Sequence, residues 1–196
     1  MINHDEKIIF VHIPKCACCS INRALDLKIH GGTGHAYYKG HKKFIDQGYF
    51  CFSFVRNPWD RVVSLYHYFL NMKPGHQWYG QNKKLANYVK DLSFDQFCKQ
   101  LDEFQKSPAS GVHFVPAYKF LVDTSNKINL DYIGRFENMQ RDFEIVCDKA
   151  GISALELPHI NKSNHNQYVD YYCNETKDIV DSRYEQDIEY FKYKYF

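Results

Sequence analysis

The stretch Ile8-Ile-Phe-Val-His-Ile-Pro-Lys-Cys-Ala-Cys-Cys-Ser20 indicates how the first part of this chain folds. An apolar run, predicted as a buried strand over Lys7–Ile13, stops at Pro14 and is followed by a lysine and four small residues. The serine after them can open a helix, which we expect to run from Ser20 to about Lys28. A strand, a tight loop and a helix in this order predict an anion site built from backbone N–H groups and a lysine.

This loop differs from the loop that binds ATP or GTP, Gly-x-x-x-x-Gly-Lys-Ser/Thr, in two respects. It contains no glycine, and Lys15 stands before the small residues instead of after them. The pattern therefore favours an anionic nucleotide and argues against an ordinary P-loop kinase.

A second strand is predicted over Tyr49–Val55, where nearly every residue is apolar, as in a parallel sheet covered on both faces. The helix after it has a clear start, because Asn57 can cap it and Pro58 suits its first position. We expect this helix to continue to about Met72. Arg56, between strand and helix, offers the donor geometry that suits a phosphate.

Ser64 lies seven residues after Asn57, or two helical turns, on the same helix face as the helix start. Arg56 and Ser64 together can bind a second phosphate. The alternative is that Arg56 pairs with a carboxylate and Ser64 is an ordinary packed serine.

The remaining pattern alternates strands and helices and predicts an α/β fold, a three-layer sandwich around a central, mainly parallel sheet with right-handed crossovers. We expect one domain over 1–196, with a helical insertion at about 73–125. This insertion is where we expect the protein to bind the second substrate, the acceptor of a transferred group. The other predicted elements are a strand at Leu130–Gly134 and helices at Lys83–Lys90, Phe94–Phe104, Met139–Ala150 and Glu175–Tyr190.

Composition narrows the functional classes. The net charge of +2 gives no overall field for nucleic acid, and positive charge is concentrated in one loop. No apolar run approaches the roughly 20 residues of a membrane span, and the first residues are too polar for a signal peptide. Seven cysteines, an odd number, fit a reducing compartment. We therefore expect a soluble, cytoplasmic protein. The basic loop residues are His35, Lys39, His41, Lys42 and Lys43.

The residues at the predicted strand ends do not suit a bound metal. Arg56 occupies the position where a magnesium-dependent kinase needs a carboxylate, and Asp131 stands at the beginning of its strand. The Cys-x-Cys-Cys spacing of Cys16–Cys19 lacks the partner motif of a zinc site. Two separate anion sites without a metal suit a nucleotide with phosphates at both ends of its ribose.

These segments resemble sulfotransferases that use 3′-phosphoadenosine 5′-phosphosulfate (PAPS), in the carbohydrate sulfotransferase branch, and the resemblance covers nearly the whole chain. His12–Ser20 is similar to the family's loop for the 5′-phosphosulfate, and Phe54–Ser64 to its 3′-phosphate motif. Gly134–Asn138 and Pro158–Ser163 resemble later family segments, the second of which lies over the nucleotide. The resemblance implies a P-loop-like core and assigns seven residues to the donor loop, namely Pro14, Lys15, Cys16, Ala17, Cys18, Cys19 and Ser20.

The resemblance also implies roles for single residues. Arg56 and Ser64 correspond to the 3′-phosphate ligands, and Lys162 is expected near the nucleotide phosphates, with a solvated loop lysine as the alternative. His35 is our candidate for the catalytic base, because Gly34-His-Ala-Tyr-Tyr resembles the family segment with the catalytic histidine, and His41 is the second candidate.

Other expectations concern Lys15 and the cysteines. Lys15 is expected to stabilise the charge that builds on the leaving phosphate. Where the family usually has threonine or glycine, this chain has Cys16, Cys18 and Cys19. Backbone donors do not depend on these side chains, so donor binding should persist.

The sequence thus predicts an enzyme that moves a sulfuryl group from PAPS, without a metal, to a hydroxyl group of a carbohydrate or another acceptor. A magnesium-dependent P-loop kinase is one alternative. A nucleotide- or glycan-binding module without activity is another, and a redox or metal role for the cysteines is a third.

Overall fold

The computed structural model describes residues 1–28, 36–153, 155–157 and 166–196 of the chain. These residues form two compact units, the first from Met1–Arg56 with Ala117–Lys162 and the second from Asn57–Pro116 with Ser163–Phe196. None of the described helices has both the length and the apolar character needed to cross a membrane.

The first unit contains a four-stranded sheet in which three strands are parallel. The strands lie side by side in chain order, β1 pairing antiparallel with β2, and β2, β3 and β4 running parallel. This confirms the predicted α/β class with a mainly parallel sheet. The strands are β1 (Ile2–Asn3), β2 (Ile8–Val11), β3 (Phe50–Val55) and β4 (Tyr132–Arg135).

The two central strands form the core of this unit. All four residues of β2 are inaccessible to solvent, and Phe10 of β2 lies opposite Phe52 of β3 with their rings stacked 5.2 Å apart. The buried Ser53 hydroxyl donates to the Val11 carbonyl at 2.7 Å, which adds a side-chain bond between the strands. Nearly continuous apolar sequence therefore gives strands buried on both faces, as predicted.

Two predictions about strands were incomplete. The third strand begins at Tyr132, two residues later than predicted, and Asp131 just before it accepts the Cys51 N–H with its carboxylate at 2.7 Å. The edge strand β1 was missed because it has two residues, too few to show alternation.

Among its described residues, four α-helices and two 3₁₀ turns complete the first unit; the helices are numbered in chain order through the whole protein. The helices are α1 (Cys18–Ala24), α2 (Lys42–Ile45), α7 (Ala117–Leu121) and α8 (Met139–Ala150). The 3₁₀ turns are at Tyr38–His41 and Phe136–Asn138. Helix α8 has the predicted bounds, and Gly151 ends it in the left-handed conformation, with φ of 70°.

The predicted helix over Ser20 to Lys28 was wrong at both ends. It starts at Cys18, because Ala17 already acts as the residue before the helix, and it ends at Ala24. Beyond that point the chain pairs with β1, since Lys28 and Ile2 exchange backbone hydrogen bonds of 2.9 Å. The stretch from Tyr38 to Ile45 was expected to be a loop and forms short helical turns instead.

The second unit is helical among its described residues. Its elements are α3 (Pro58–Leu70), α4 (Tyr79–Val89), α5 (Phe94–Cys98), α6 (Leu101–Gln105), 3₁₀ turns at Gly111–Phe114 and Tyr168–Tyr171, α9 (Asn174–Arg183) and α10 (Glu185–Phe191). Helix α3 confirms the predicted start at Asn57-Pro58 and ends two residues before Met72.

Two predicted helices of this unit are interrupted. The helix over Phe94–Phe104 breaks at Gln100, and the two halves bring the Phe97 and Phe104 rings to 5.2 Å from each other. The helix over Glu175–Tyr190 breaks at Tyr184, a buried residue whose hydroxyl donates to the Phe114 carbonyl at 3.2 Å. In both places tertiary packing overrides a helical sequence pattern.

Candidate functional site

The loop after β2 has an unusual backbone. Lys15 and Ala17 have φ angles of 68° and 58°, in the left-handed region, whereas Cys16 between them does not. Left-handed residues that alternate with right-handed ones can turn successive N–H groups toward one side, an arrangement that suits an anion. Neither residue is glycine, so each left-handed conformation costs about 1–2 kcal/mol. The loop therefore contains two strained left-handed residues that are not glycine, and such strain is typical of functional sites.

Short-range bonds hold this loop. The Cys16 N–H donates to the Ile13 carbonyl at 3.3 Å, and the Cys16 thiol, which is buried, donates to the Pro14 carbonyl at 3.8 Å. On the other side, the Ser20 N–H donates to the Ala17 carbonyl at 3.1 Å. Cys16 is thus part of the wall of the loop, which explains why a small apolar side chain suits that position.

Arg56 lies directly after β3 and is brought to the same loop. Its side chain is 6% exposed, its Nη1 donates to the Lys15 carbonyl at 3.2 Å, and its guanidinium lies 4.0 Å from the centre of the Phe136 ring. Cation–π contact of this kind fixes the plane of the guanidinium. The ends of β2, β3 and β4 therefore contribute Lys15, Arg56 and Phe136 to one place, as expected for the carboxyl ends of parallel strands.

The charge of Lys15 is sensitive to this environment. Burial lowers the pKa of the Lys15 ammonium to about 8, the nearby thiol of Cys18 opposes that shift, and Arg56 adds to it. Lys15 is mainly protonated at pH 7 and loses its proton in the weakly alkaline range. A bound anion would stabilise the protonated ammonium and so raise the pKa of Lys15.

The end of β4 is held by α8. Gly134 packs against the Phe54 ring so closely that a Cβ atom would lie 2.5 Å from Phe54 Cε1. The Arg135 N–H donates to the buried carboxylate of Asp142 at 2.6 Å. These contacts set the position of Phe136, whose role beside Arg56 the sequence analysis missed. The segment Gly134–Asn138 was recognised, but no pattern indicated which of its side chains would stack.

Carboxylates in the described part of the chain do not gather at this site. Asp131 lies at the beginning of β4, where its backbone N–H donates to the Cys51 carbonyl at 2.8 Å, so its predicted position is confirmed. Among the described residues there is no group of three or more His, Cys, Asp or Glu side chains arranged to hold a metal ion.

Ser64 belongs to the second unit. It is buried on α3, 4% exposed, in the second turn of the helix. The start of that helix is capped as predicted, since Asn57 Oδ1 accepts from the N–H groups of Trp59 and Asp60 at 3.1 and 3.2 Å. Asn57 Nδ2 also donates to the Lys194 carbonyl at 3.1 Å. The role of Ser64 toward a phosphate remains a prediction.

Several histidine and lysine predictions have different outcomes. His35, Lys162 and the segment Pro158–Ser163 lie outside the described residues. His41 is fully buried, with 0% exposure, so it could reach an acceptor only after rearrangement. His12 is buried directly after β2 and stacks on Phe10, with ring centres 6.0 Å apart.

The basic loop is partly structural. Tyr38 and His41 point inward, while Lys42 is exposed and pairs with Asp46 at 2.8 Å. Lys39 and Lys43 are exposed, and Lys43 lies 5.9 Å from the centre of the Phe44 ring. These contacts are typical of a solvated surface.

A buried arginine, a lysine and a left-handed loop therefore lie at the carboxyl ends of three parallel strands in the first unit. The chain matches the sulfotransferase family over residues 1–194 and belongs to that family, which confirms the predicted resemblance.

Known relatives are distant in sequence. Carbohydrate sulfotransferase 11 of Mus musculus is 24% identical over 199 residues, covering 83% of this chain and 56% of the relative. Carbohydrate sulfotransferase 14 of Danio rerio is 22% identical, covering 77% of this chain and 48% of the relative. An uncharacterized protein of Archaeoglobus fulgidus is 27% identical over 128 residues, covering 65% of this chain and 88% of the relative. The chain thus spans about half the length of the carbohydrate sulfotransferases, and no solved structure matches it significantly.

Proposed function

We propose that this protein transfers a sulfuryl group from PAPS to a hydroxyl group of a carbohydrate. The observation that carries the proposal is the contact between Arg56 and the left-handed loop at Lys15, at the ends of adjacent parallel strands. Membership of the sulfotransferase family and the likeness to carbohydrate sulfotransferases support the reaction type and the class of acceptor.

The donor would be held by groups already present. The loop Pro14–Ser20 suits the 5′-phosphosulfate, because its backbone geometry and the Lys15 ammonium both favour an anion. Arg56, and with it Ser64, would bind the 3′-phosphate. Phe136 and the Lys15 carbonyl hold the Arg56 guanidinium before any ligand arrives, so less conformational freedom is lost on binding. Lys162 is proposed as a further phosphate contact by resemblance.

Bound PAPS supplies an activated sulfuryl group, whose in-line transfer builds negative charge on a phosphate oxygen. Lys15 carries the charge that stabilises this oxygen, together with the N–H groups of the loop. Its lowered pKa leaves it mainly protonated at pH 7, where it can also donate a proton to the leaving oxygen.

The acceptor hydroxyl must lose a proton as it attacks, and a histidine is the suitable base near neutral pH. We assign this role to His35. The complete burial of His41 disfavours it as the base. We further propose a P-loop-like three-layer core in a single sulfotransferase domain over 1–196, with the acceptor bound by the helices within 73–125.

A magnesium-dependent kinase fits the site less well. Such an enzyme needs a carboxylate at a strand end near the phosphates, but Arg56 occupies that position. Asp131 is bonded to Cys51 at the other end of its strand.

The test is a turnover assay with PAPS and a panel of polysaccharide and oligosaccharide acceptors. Release of adenosine 3′,5′-bisphosphate should accompany sulfated product, and ATP with Mg²⁺ should give no phosphorylated product. His35→Ala should lower turnover by about 10²–10⁴-fold, the usual contribution of a general base, and should leave the affinity for adenosine 3′,5′-bisphosphate within about threefold. His4→Ala, an exposed histidine bonded to Tyr49, is the matched control and should retain activity.

Two results would contradict the proposal. Phosphoryl transfer from ATP would favour the kinase. Nucleotide binding without any sulfated product across the panel would favour a binding module.

A further inference from the structure

Helix α4 of the second unit lies in the longest stretch of the sequence without an acidic residue. Between Asp60 and Asp91 there are five basic residues and neither an aspartate nor a glutamate. Arg61 is buried and donates to backbone carbonyls, whereas the four lysines are exposed, namely Lys73, Lys83, Lys84 and Lys90. The whole chain carries a net charge of +2, so this stretch, at +5, leaves −3 for all other residues. A chain of low net charge thus has a local excess of positive charge around α4.

The four exposed lysines differ from other lysines of the same unit in their partners. Within the described ranges of the chain, no carboxylate forms an ion pair with any of the four. By contrast, Lys99 pairs with Glu175 at 2.8 Å, and Lys106 pairs with Glu103 at 2.6 Å. The positive charge around α4 is therefore not neutralised by the described carboxylates.

Two aromatic side chains are exposed in the same stretch. Trp78, directly before α4, is 43% exposed, and Tyr88 in its last turn is 49% exposed. The Trp78 carbonyl accepts from the N–H and from Nδ2 of the buried Asn82, at 3.2 and 3.0 Å. The Tyr88 hydroxyl donates to Gln100 Oε1 at 2.9 Å, and its ring meets the Phe104 ring edge-on at 6.2 Å. The backbone of Trp78 and the ring of Tyr88 are thus held in place while remaining open to a partner.

The outward side of α4 is a ridge along one helix. Lys84 and Tyr88 are one turn apart, and Lys83 and Lys90 are two turns apart, so the charges follow the helix axis. The opposite side of the helix is buried, at Asn82, Ala86 and Val89. None of the exposed residues of α4 is aliphatic. Small ligands bind in concave sites, whereas a ridge of this kind fits a flat, negatively charged surface.

We propose that these residues dock the protein on a membrane surface that contains anionic lipids. The basic face, as we call it, consists of Lys73, Trp78, Lys83, Lys84, Tyr88 and Lys90. Its lysines attract negative headgroups, and tryptophan and tyrosine side chains favour the level of the headgroups. Because the exposed residues of α4 include no aliphatic side chain, the contact stays at the headgroups and does not extend into the acyl chains. The inference is independent of the proposed function.

The first test is sedimentation of the full chain with lipid vesicles. Vesicles of phosphatidylcholine mixed with phosphatidylglycerol should bind the protein, and vesicles of phosphatidylcholine alone should not. Binding should weaken as the salt concentration rises, because salt screens charges at a surface. Equal binding to both kinds of vesicle, or no binding to either, would overturn the proposal.

A pair of double variants tests whether the basic face makes the contact. Lys83→Gln with Lys84→Gln should weaken binding to the anionic vesicles about 30-fold, since each lysine near an anionic surface contributes about fivefold. Lys99→Gln with Lys106→Gln removes the same charge from two exposed, carboxylate-paired lysines and should weaken binding less than about threefold. Equal weakening in both double variants would show that net charge alone drives binding, and would overturn the assignment to α4.

Trp78 supplies a local probe of the contact, because the other tryptophan of the chain, Trp59, is 3% exposed. When anionic vesicles are added, the fluorescence emission should move to shorter wavelength as the Trp78 indole leaves water for the interface. Trp78→Phe should lose this shift and still sediment with the vesicles, since it keeps an aromatic ring and all four lysines. Sedimentation of the wild type without a shift in emission would contradict docking by this face.

An acidic polysaccharide is the competing partner for a basic face. The sedimentation assay is therefore repeated with polygalacturonate at a carboxylate concentration equal to that of phosphatidylglycerol. We expect the protein to stay on the vesicles, because the polymer offers no interface to Trp78 and Tyr88. Release of the protein from the vesicles, together with binding to polygalacturonate that is lost in Lys83→Gln with Lys84→Gln, would overturn the membrane as the partner.

Discussion

Two turns from a buried strand into a helix can be compared in this protein. After β3 the chain enters α3 within two residues, and Asn57 caps the helix with its own side chain. After β2 the chain passes through two left-handed residues before α1, and among the described residues no side chain caps that helix. Both turns follow parallel strands that lie side by side.

The difference separates a structural turn from a turn suited to a ligand. At α3 the N–H groups of Trp59 and Asp60 bond to the Asn57 side chain, so the start of this helix is capped from within the chain. At α1 the residue before the helix is Ala17, whose methyl side chain cannot accept a hydrogen bond from the helix N–H groups. Its backbone is also strained, because it is left-handed. We propose that an anion binds at this second turn. The two left-handed residues, together with the absence of a side-chain cap among the described residues, are the reasons for proposing an anion site at this turn.

The largest effect is expected from removing the charge of Lys15 in the turn between β2 and α1, which we call the ligand turn. Lys15→Ala should lower turnover with PAPS by about 10²–10³-fold, because the developing charge on the phosphate oxygen loses its nearest cation. Steady-state kinetics give the ratio. Lys43→Ala removes an exposed lysine of the same unit and should change turnover little. If Lys15→Ala lowered turnover less than about threefold, the turn between β2 and α1 would have no special role in catalysis.

The second prediction uses the lowered pKa of Lys15, about 8. An anion binds the protonated form better, so the dissociation constant for adenosine 3′,5′-bisphosphate should be constant below pH 8. Above pH 8 it should rise by up to about tenfold per pH unit, until the raised pKa of the complex is reached. Titrations from pH 7 to 9.5 give the profile. Lys15→Arg, which does not titrate, should remove this rise, and an identical profile in the variant would contradict the assignment.

The third prediction concerns the structural turn. Asn57→Ala should lower the free energy of unfolding by about 1–2 kcal/mol, since two N–H groups of α3 lose their acceptor. Thermal unfolding measures the change. Asn57→Asp keeps the acceptor and loses the bond to the Lys194 carbonyl, so it should recover much of the loss. Equal destabilisation by both variants would show that the cap contributes little.

The smallest effect is expected from relief of strain in the ligand turn. Ala17→Gly should raise the free energy of unfolding by about 0.5–1 kcal/mol, because glycine adopts the left-handed conformation without steric cost but loses more chain entropy. Gly151→Ala, at the left-handed end of α8 with open space around its Cβ position, is the reverse control and should be destabilised by a similar amount. Denaturant titration gives the free energy of unfolding of both variants. A lower free energy of unfolding in Ala17→Gly than in the wild type would contradict strain at Ala17.

Much of the fold could be predicted from local signals. Runs of apolar residues indicated β2 and β3, and Asn57-Pro58 indicated the start of α3. The glycine after Ala150 indicated where α8 ends. Each signal depends on residues close in sequence, which is why it can be read without the structure.

Features set by distant residues could not be predicted. The breaks at Gln100 and Tyr184 depend on aromatic packing within the second unit, and the end of α1 depends on pairing with β1. At the site, Lys15 and Arg56 were predicted, but the stacking of Phe136 on Arg56 was not. The left-handed conformation of Ala17 has no sequence signal, because alanine rarely adopts it.

The central claim, that the ligand turn and Arg56 form a site for a nucleotide with a 3′-phosphate, is tested most directly by calorimetry. The wild-type protein and Arg56→Ala are titrated with adenosine 3′,5′-bisphosphate, and with ATP and Mg²⁺ as the competing ligand. We expect tight binding of the bisphosphate without metal, weakened at least about tenfold in Arg56→Ala by loss of a charge-assisted contact. Preference for ATP with Mg²⁺, or equal affinity of wild type and Arg56→Ala for the bisphosphate, would contradict the account.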